Sequence, residues 1–182
     1  MTSIYRFHAA EGSQLLNALD PNDYEHIRGL EGAVRPTWTP KAVVILRRNR
    51  GRNLVPVDLP TLSASFDCAN ARAREALEAA LSDCAVFLPL ACAQEPFWLL
   101  YVTRVVDALD EARSEMRRIP SGLVIQIKKP VFFPDRLPTG GLFRVPQFWP
   151  EVYAMQDFVD RVHDAGLTGL AFKRVWYPDE GS

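Results

Sequence analysis

The stretch MQDFVDRVHDAGLTGLAFKRVW, residues 155–176, carries the clearest structural signal in the 182-residue chain. Met155, Phe158, Val159 and Val162 recur at the i, i+3, i+4, i+7 spacing of an amphipathic helix. Gly166 stands where a left-handed C-terminal cap belongs, and LAFKRVW follows as a strand. Asp160 and His163 lie three apart on this helix, about 60° around its axis, near enough to interact. His163, however, falls at the margin of the apolar stripe, and Asp160 shares the opposite stripe with Asp157 and Asp164. A metal centre needs further ligands and an acid–base pair needs a pocket, and His8 and His26 stand in no motif with them. The pair reads as scaffold and the three aspartates as a solvated acidic face.

A second unit has the same order of helix, short turn and apolar strand, the pattern of an internal duplication. ANARAREALEAALSD, residues 69–83, places Ala73, Ala76, Leu77, Ala80 and Leu81 on one stripe, with Arg72, Glu75 and Glu78 opposite. Asp67 and Asn70 are both competent N-caps, and AVFLPL at 85–90 is the strand.

Alternation and β-branching predict further strands at TSIYRF near the start, AVVILRR at 42–48, PFWLLYVTRVV at 96–106 and GLVIQIKK at 122–129. The 96–106 run is apolar on both faces and so belongs at a sheet centre. Residues 8–40 mix breakers with scattered apolar positions and read as short helix and loop. NRGRN at 49–53 supplies a tight turn before LVPVDL, a hairpin whose second strand Pro56 would keep at an edge. DALDEARSEMRR is a mixed-charge segment. From 130 to 150, five prolines accompany Phe132, Phe133, Phe143, Phe148 and Trp149, which predicts a structured loop with at most a short strand at LFRV. The expected architecture is α+β, with a mixed or mostly antiparallel sheet and a few packed helices in a single compact domain over 1–182.

Composition narrows the function. A net charge of −1 leaves no global basic field for nucleic acid or an anionic membrane, so neither is an expected partner. The N-terminus has no apolar signal region, and AVFLPLACA is too short to span a bilayer, which points to the cytoplasm. Cys68, Cys84 and Cys92 match neither a disulfide framework nor a zinc knuckle and read as reduced, mostly buried thiols. No nucleophile elbow, papain-like cysteine, dinucleotide fingerprint or phosphate loop occurs, so no catalytic residue, cofactor or metal is assigned.

Two stretches offer recognition surfaces. Lys41, Arg47, Arg48, Arg50 and Arg52 occur with no acidic residue between them, either an anion-binding tip or a solvated hairpin end. The rings of 130–150 are either interface anchors or the loop's own core.

REALEAALSDCAVFLPL, VTRVVDALDEARSE and GLFRV…DFVDRVHDAGLTGLAFKRV together resemble the bacterial immunity protein family eleven of polymorphic toxin systems. The most specific match is a helix ending in a GLTG turn before a phenylalanine-containing strand, here Gly166, Leu167, Thr168, Gly169 and Phe172. The resemblance is strongest over 54–176 and transfers no functional residues. It implies a non-enzymatic cytoplasmic protein that neutralises a cognate toxin, encoded by a neighbouring gene, by occluding the toxin's active site or substrate surface. Two surfaces suit such a partner: the acidic stripe Asp157, Asp160 and Asp164, which would steer a basic toxin, and the aromatic group Phe132, Phe133, Phe148 and Trp149, which would anchor it.

Overall fold

A computed structural model describes residues 3–30, 37–63 and 65–178. In chain order its elements are β1 (Ile4–Ala9), β2 (Leu15–Ala18), α1 (Asn22–Arg28), β3 (Lys41–Leu46), β4 (Arg48–Asn49), β5 (Arg52–Asn53), β6 (Thr61–Leu62), β7 (Phe66–Asn70), α2 (Ala71–Leu81), β8 (Ala85–Cys92), β9 (Phe97–Val102), β10 (Glu115–Arg118), β11 (Val124–Lys129), β12 (Leu142–Phe143), β13 (Tyr153–Met155), α3 (Gln156–Asp164) and β14 (Leu170–Trp176). The fold is α+β, and the strands divide among several sheets.

Six strands close a barrel in the order β2-β3-β8-β9-β7-β6, while β12-β13-β1-β14 form a separate four-stranded sheet. The barrel is mixed: β2 and β6 pair in parallel, as do β3 and β8, and its other pairings are antiparallel. Small barrels fill with side chains, and here the filling includes Leu16, Val43, Leu62, Cys68, Leu88, Phe97, Leu99 and Tyr101. The central position of β9 follows from its two apolar faces. Phe97, Leu99 and Tyr101 turn into the barrel, while Leu100 and Val102 join the cluster that packs on the helices.

The two helix-then-strand units are alike in three dimensions. Strands β7 and β8, joined through α2, both pair antiparallel to β9 between them. Strands β13 and β14, joined through α3, both pair antiparallel to β1. Each is therefore a split β-α-β unit. Ala73, Leu77 and Leu81 of α2 share one apolar cluster with Phe158, Val159 and Val162 of α3, so the helices form a common layer between barrel and sheet. A second cluster lies at the four-stranded sheet and the β10–β11 hairpin, where Phe132 makes edge-on contacts with Phe143, Tyr153 and Trp176 at 5.1–5.8 Å.

Several local expectations need correction. Residues 8–40 contain a strand, β2, as well as the helix α1, and residues 31–36 of that stretch lie outside the described residues. Positive φ at Arg50 and Gly51 makes the tight turn, but its second strand is Arg52–Asn53 and not LVPVDL. Pro56 and Pro60 deprive that segment of donors, leaving one bridge from Val55 to Ser13. The 96–106 strand stops at Val102, because the N–H groups of Thr103 and Arg104 both turn to the Cys84 carbonyl. The mixed-charge segment hides β10, whose exposed residues conceal any alternation around the half-buried Met116. Cys68, Cys84 and Cys92 are free thiols, the first two buried.

One polar joint fastens the two halves. Asp58, 8% exposed, accepts hydrogen bonds from the Thr168 N–H (2.9 Å), the Thr168 hydroxyl (3.0 Å), Asn70 Nδ2 (3.2 Å) and Arg72 Nη1 (2.8 Å). Asn70 is the N-cap of α2, its side chain accepting from the Ala73 N–H at 2.9 Å, and Arg72 also donates to the carbonyls of Ala165 and Gly166 beyond α3. Asp67, the other N-cap candidate, lies within β7. The GLTG turn thus has a purpose at every position. Gly166 takes a left-handed φ of +58°, Leu167 is buried against the helices, and Thr168 grips Asp58. Gly169 has φ +114°, and a side chain there would collide with the Leu59 carbonyl.

Burial alone would raise the pKa of Asp58, but the hydrogen bonds from Thr168, Asn70 and Arg72 outweigh it and hold the carboxyl below its ordinary value. Such a group stabilises the fold above its unfolded pKa of about 3.9 and loses that contribution as pH falls through its lower folded pKa. In urea titrations Asp58→Asn is expected to lose about 2–4 kcal/mol at pH 7, with the difference from wild type shrinking below about pH 4. Gly169→Ala is expected to lose about 1–3 kcal/mol in the same measurement, at any pH, because its defect is steric.

Candidate functional site

The sequence-predicted residues do not assemble into one centre. On α3, Asp160 and Asp164 are exposed, and Asp160 accepts from Gln156 Nε2 at 2.8 Å. Asp157, though exposed on one side, receives the Gly141 N–H on both carboxylate oxygens at 2.9 and 3.0 Å, which pins the 140–141 loop to the first turn of α3. His163 stands edge-on to Phe172 at 5.6 Å, and no hydrogen bond joins it to Asp160 among the described residues. His26 packs edge-on to Trp38 at 6.5 Å, well away from α3.

The aromatic group separates into core and surface. Phe132, 1% exposed, sits among three other rings and has no face to offer a partner, so it leaves the candidate surface. Its three ring neighbours come from β12, β13 and β14, elements distant in sequence that claim it for packing. Phe133 is half-buried beneath the Arg136 guanidinium, 4.4 Å from ring centre. Phe148 and Trp149 are half-buried along a cleft described below.

The basic run is less free than its sequence suggests. Lys41 pairs with Asp23 at 3.1 Å and is largely buried, while Arg52 reaches Glu11 at 3.2 Å. Arg48 donates to the Gly51 carbonyl within its own hairpin, and Arg47 and Arg50 are exposed. Partners from elsewhere in the chain thus answer two of the five cations.

A cleft of about 630 Å³ lies between the β6-β7-β9 side of the barrel and the β1–β14 edge, closed on one flank by residues 148–152. Strand β13 pairs with β1 only at Ile4 and Tyr5, so Arg6 to Ala9 run past its end and open the gap. Four permanent cations, Arg6, Arg28, Arg144 and Lys173, line it with two carboxylates, Asp67 and Glu151. Glu151 is ion-paired with Arg6, which bonds it at 2.7 Å through Nη2, and accepts the Tyr153 hydroxyl at 2.9 Å. Burial pushes the Glu151 pKa up, against the opposing pull of Arg6 and Tyr153. Arg6 also donates to the Ile127 and Lys128 carbonyls, so it ties β1 to β11.

Asp67 lies deeper, opposite Thr61 in the β6–β7 pairing. Burial pushes its carboxyl up to about 6, against the nearby Arg144. The Thr61 hydroxyl, on a residue 3% exposed, has no hydrogen-bond partner among the described residues. Sequence reasoning missed Thr61, Arg144 and the site role of Asp67, for two-residue strands and a proline-rich loop leave no periodic signal to place them together. Among the described residues no group of three or more His, Cys, Asp or Glu side chains could hold a metal ion. No helix of the described residues is long and apolar enough to cross a membrane.

Barrel, sheet and shared helix layer define an α+β protein whose GLTG turn is the joint between its halves. Residues 16–176 match the model of the Immunity protein family (Imm11), and the chain belongs to that family. The match begins well before residue 54 and so takes in the barrel strands β2 and β3, further than the resemblance read from the sequence. No curated protein matches the chain.

A carboxyl whose folded pKa exceeds its unfolded value binds more protons in the native state across the interval between them. Stability therefore falls as pH rises from about 4 to 6. Asp67→Asn removes that penalty. The variant is expected to gain about 1–3 kcal/mol over wild type at pH 7 and to lose this advantage near pH 4, as measured by urea denaturation at both pH values.

Proposed function

We propose that this chain is a single-domain immunity protein that binds its cognate toxin in the cytoplasm and neutralises it by covering the active site or substrate surface, without catalysis of its own. Membership of the immunity family across residues 16–176 carries the reading. The partner is a toxin domain encoded by a neighbouring gene. A protector must leave almost no toxin free, so affinity is nanomolar or better, about −12 kcal/mol, over an interface of roughly 1,600 Å² or more.

Two surface features support the interface. Asp160 and Asp164 project from α3 into solvent, an acidic edge suited to a basic toxin that acts on polyanions. Phe133, Phe148 and Trp149 are half-buried in the fold's proline-rich loop, the residue types that anchor interfaces. Asp157 contributes charge but is also committed to Gly141, so its replacement would disturb the loop as well as the field.

Calorimetry against the C-terminal domain of a large protein encoded beside this chain is expected to give a one-to-one nanomolar complex that also abolishes that domain's toxicity. Absence of binding rejects the reading. Asp160→Lys with Asp164→Lys should slow association at least about 10-fold at low salt and flatten its salt dependence, with dissociation little changed. Phe148→Ala and Trp149→Ala should act on dissociation instead, each weakening the complex about 10- to 100-fold while the protein stays folded.

A further inference from the structure

We propose that the cleft between barrel and sheet is a binding site for a small aromatic anion of the nucleoside monophosphate class, with the ring on the apolar walls and the phosphate at the rim. Its volume of about 630 Å³ lies within the range of small-molecule sites. The polar groups left over by the fold are distributed as such a ligand requires.

At the floor, Thr61 and Asp67 are direct partners across an antiparallel pair, so their side chains share one face. The Thr61 hydroxyl is buried without a hydrogen-bond partner among the described residues, and the neighbouring carboxylate, on a half-buried residue, is an acceptor. A donor beside a half-buried acceptor complements the edge of a nucleobase, where an N–H adjoins a ring nitrogen or carbonyl. Phe66, Leu100 and Trp149 supply apolar walls on which a flat ring can lie. At the rim, His8 and Lys173 are exposed and make no ion pair among the described residues, whereas the neighbouring Arg28 is engaged by Glu25. The surplus of permanent cations over carboxylates in the lining favours an anion, and the floor carboxylate directs its charge outward to the rim.

The cleft shares Phe148 and Trp149 with the surface proposed for the toxin, whereas Thr61 and Lys173 lie outside that surface, so variants at these two positions separate the two readings. Calorimetry on the full chain at physiological salt tests it with AMP, GMP, CMP and UMP, each against its nucleoside and against inorganic phosphate. At least one of the four is expected to bind one-to-one with micromolar Kd, at least about 10-fold tighter than its nucleoside or phosphate alone. Lys173→Glu, at an exposed position, should weaken that binding at least about 10-fold. Thr61→Val should weaken it several-fold while the melting temperature stays level or rises, since deleting an unpartnered hydroxyl relieves a desolvation cost. Failure of all four to saturate at millimolar concentration overturns the proposal. So does phosphate binding as tightly as the nucleotides, or binding that both variants leave unchanged.

Discussion

The buried carboxylate of Asp58 is the constraint on which the arrangement depends. It collects donors from the start of α2 and from the turn after α3, and these helices belong to different split β-α-β units. Apolar packing between the helices is nondirectional and would tolerate sliding, whereas a carboxylate with four short donors tolerates none. The adjacent backbone contact, Leu59 N–H to the Thr168 carbonyl at 2.9 Å, requires the close approach that only Gly169 allows. The position of β14, and through it of β1, is thereby set relative to the barrel.

The cleft exists because that joint fixes one end of the interface while the other remains open. Near Asp58 the halves meet through hydrogen bonds and a shared apolar cluster. Toward the end of β13 the sheet narrows, and its edge residues face the barrel across a gap. The polar groups there are not optimised for stability: a raised carboxyl and an unpartnered hydroxyl both cost the native state free energy. Departures of this kind concentrate where a protein meets a ligand or partner, whereas the Asp58 joint surrounds its carboxylate with donors.

Elements with a strong period were legible. Met155, Phe158, Val159 and Val162 announced α3, and the glycines of the GLTG turn announced its end. The duplication was visible as a repeated order, although its split form was not, since the central strand of each unit lies elsewhere in the sequence. Barrel closure was hidden for a similar reason. It rests on β6, two residues long, whose parallel partners in β2 lie in a stretch broken by polar and turn residues. Phe132 and Phe133 illustrate the limit for surfaces. They are adjacent and chemically identical, and only partners remote in sequence decide that one is core and the other half-exposed.

The pairing of β1 with β14 joins opposite ends of the described chain, Ile4 with Trp176 and Ala9 with Leu170. The barrel strands lie between residues 15 and 102, and their partners are all present once that part has left the ribosome. Strand β1 emerges first but waits for the last strand before it can pair, a loop closure that ranks among the costliest in the fold. The barrel strands can therefore pair before the sheet is complete. Because both β1 and β14 line the cleft, the wall they form is absent until β14 has been made, and any recognition that uses that wall must wait for that strand.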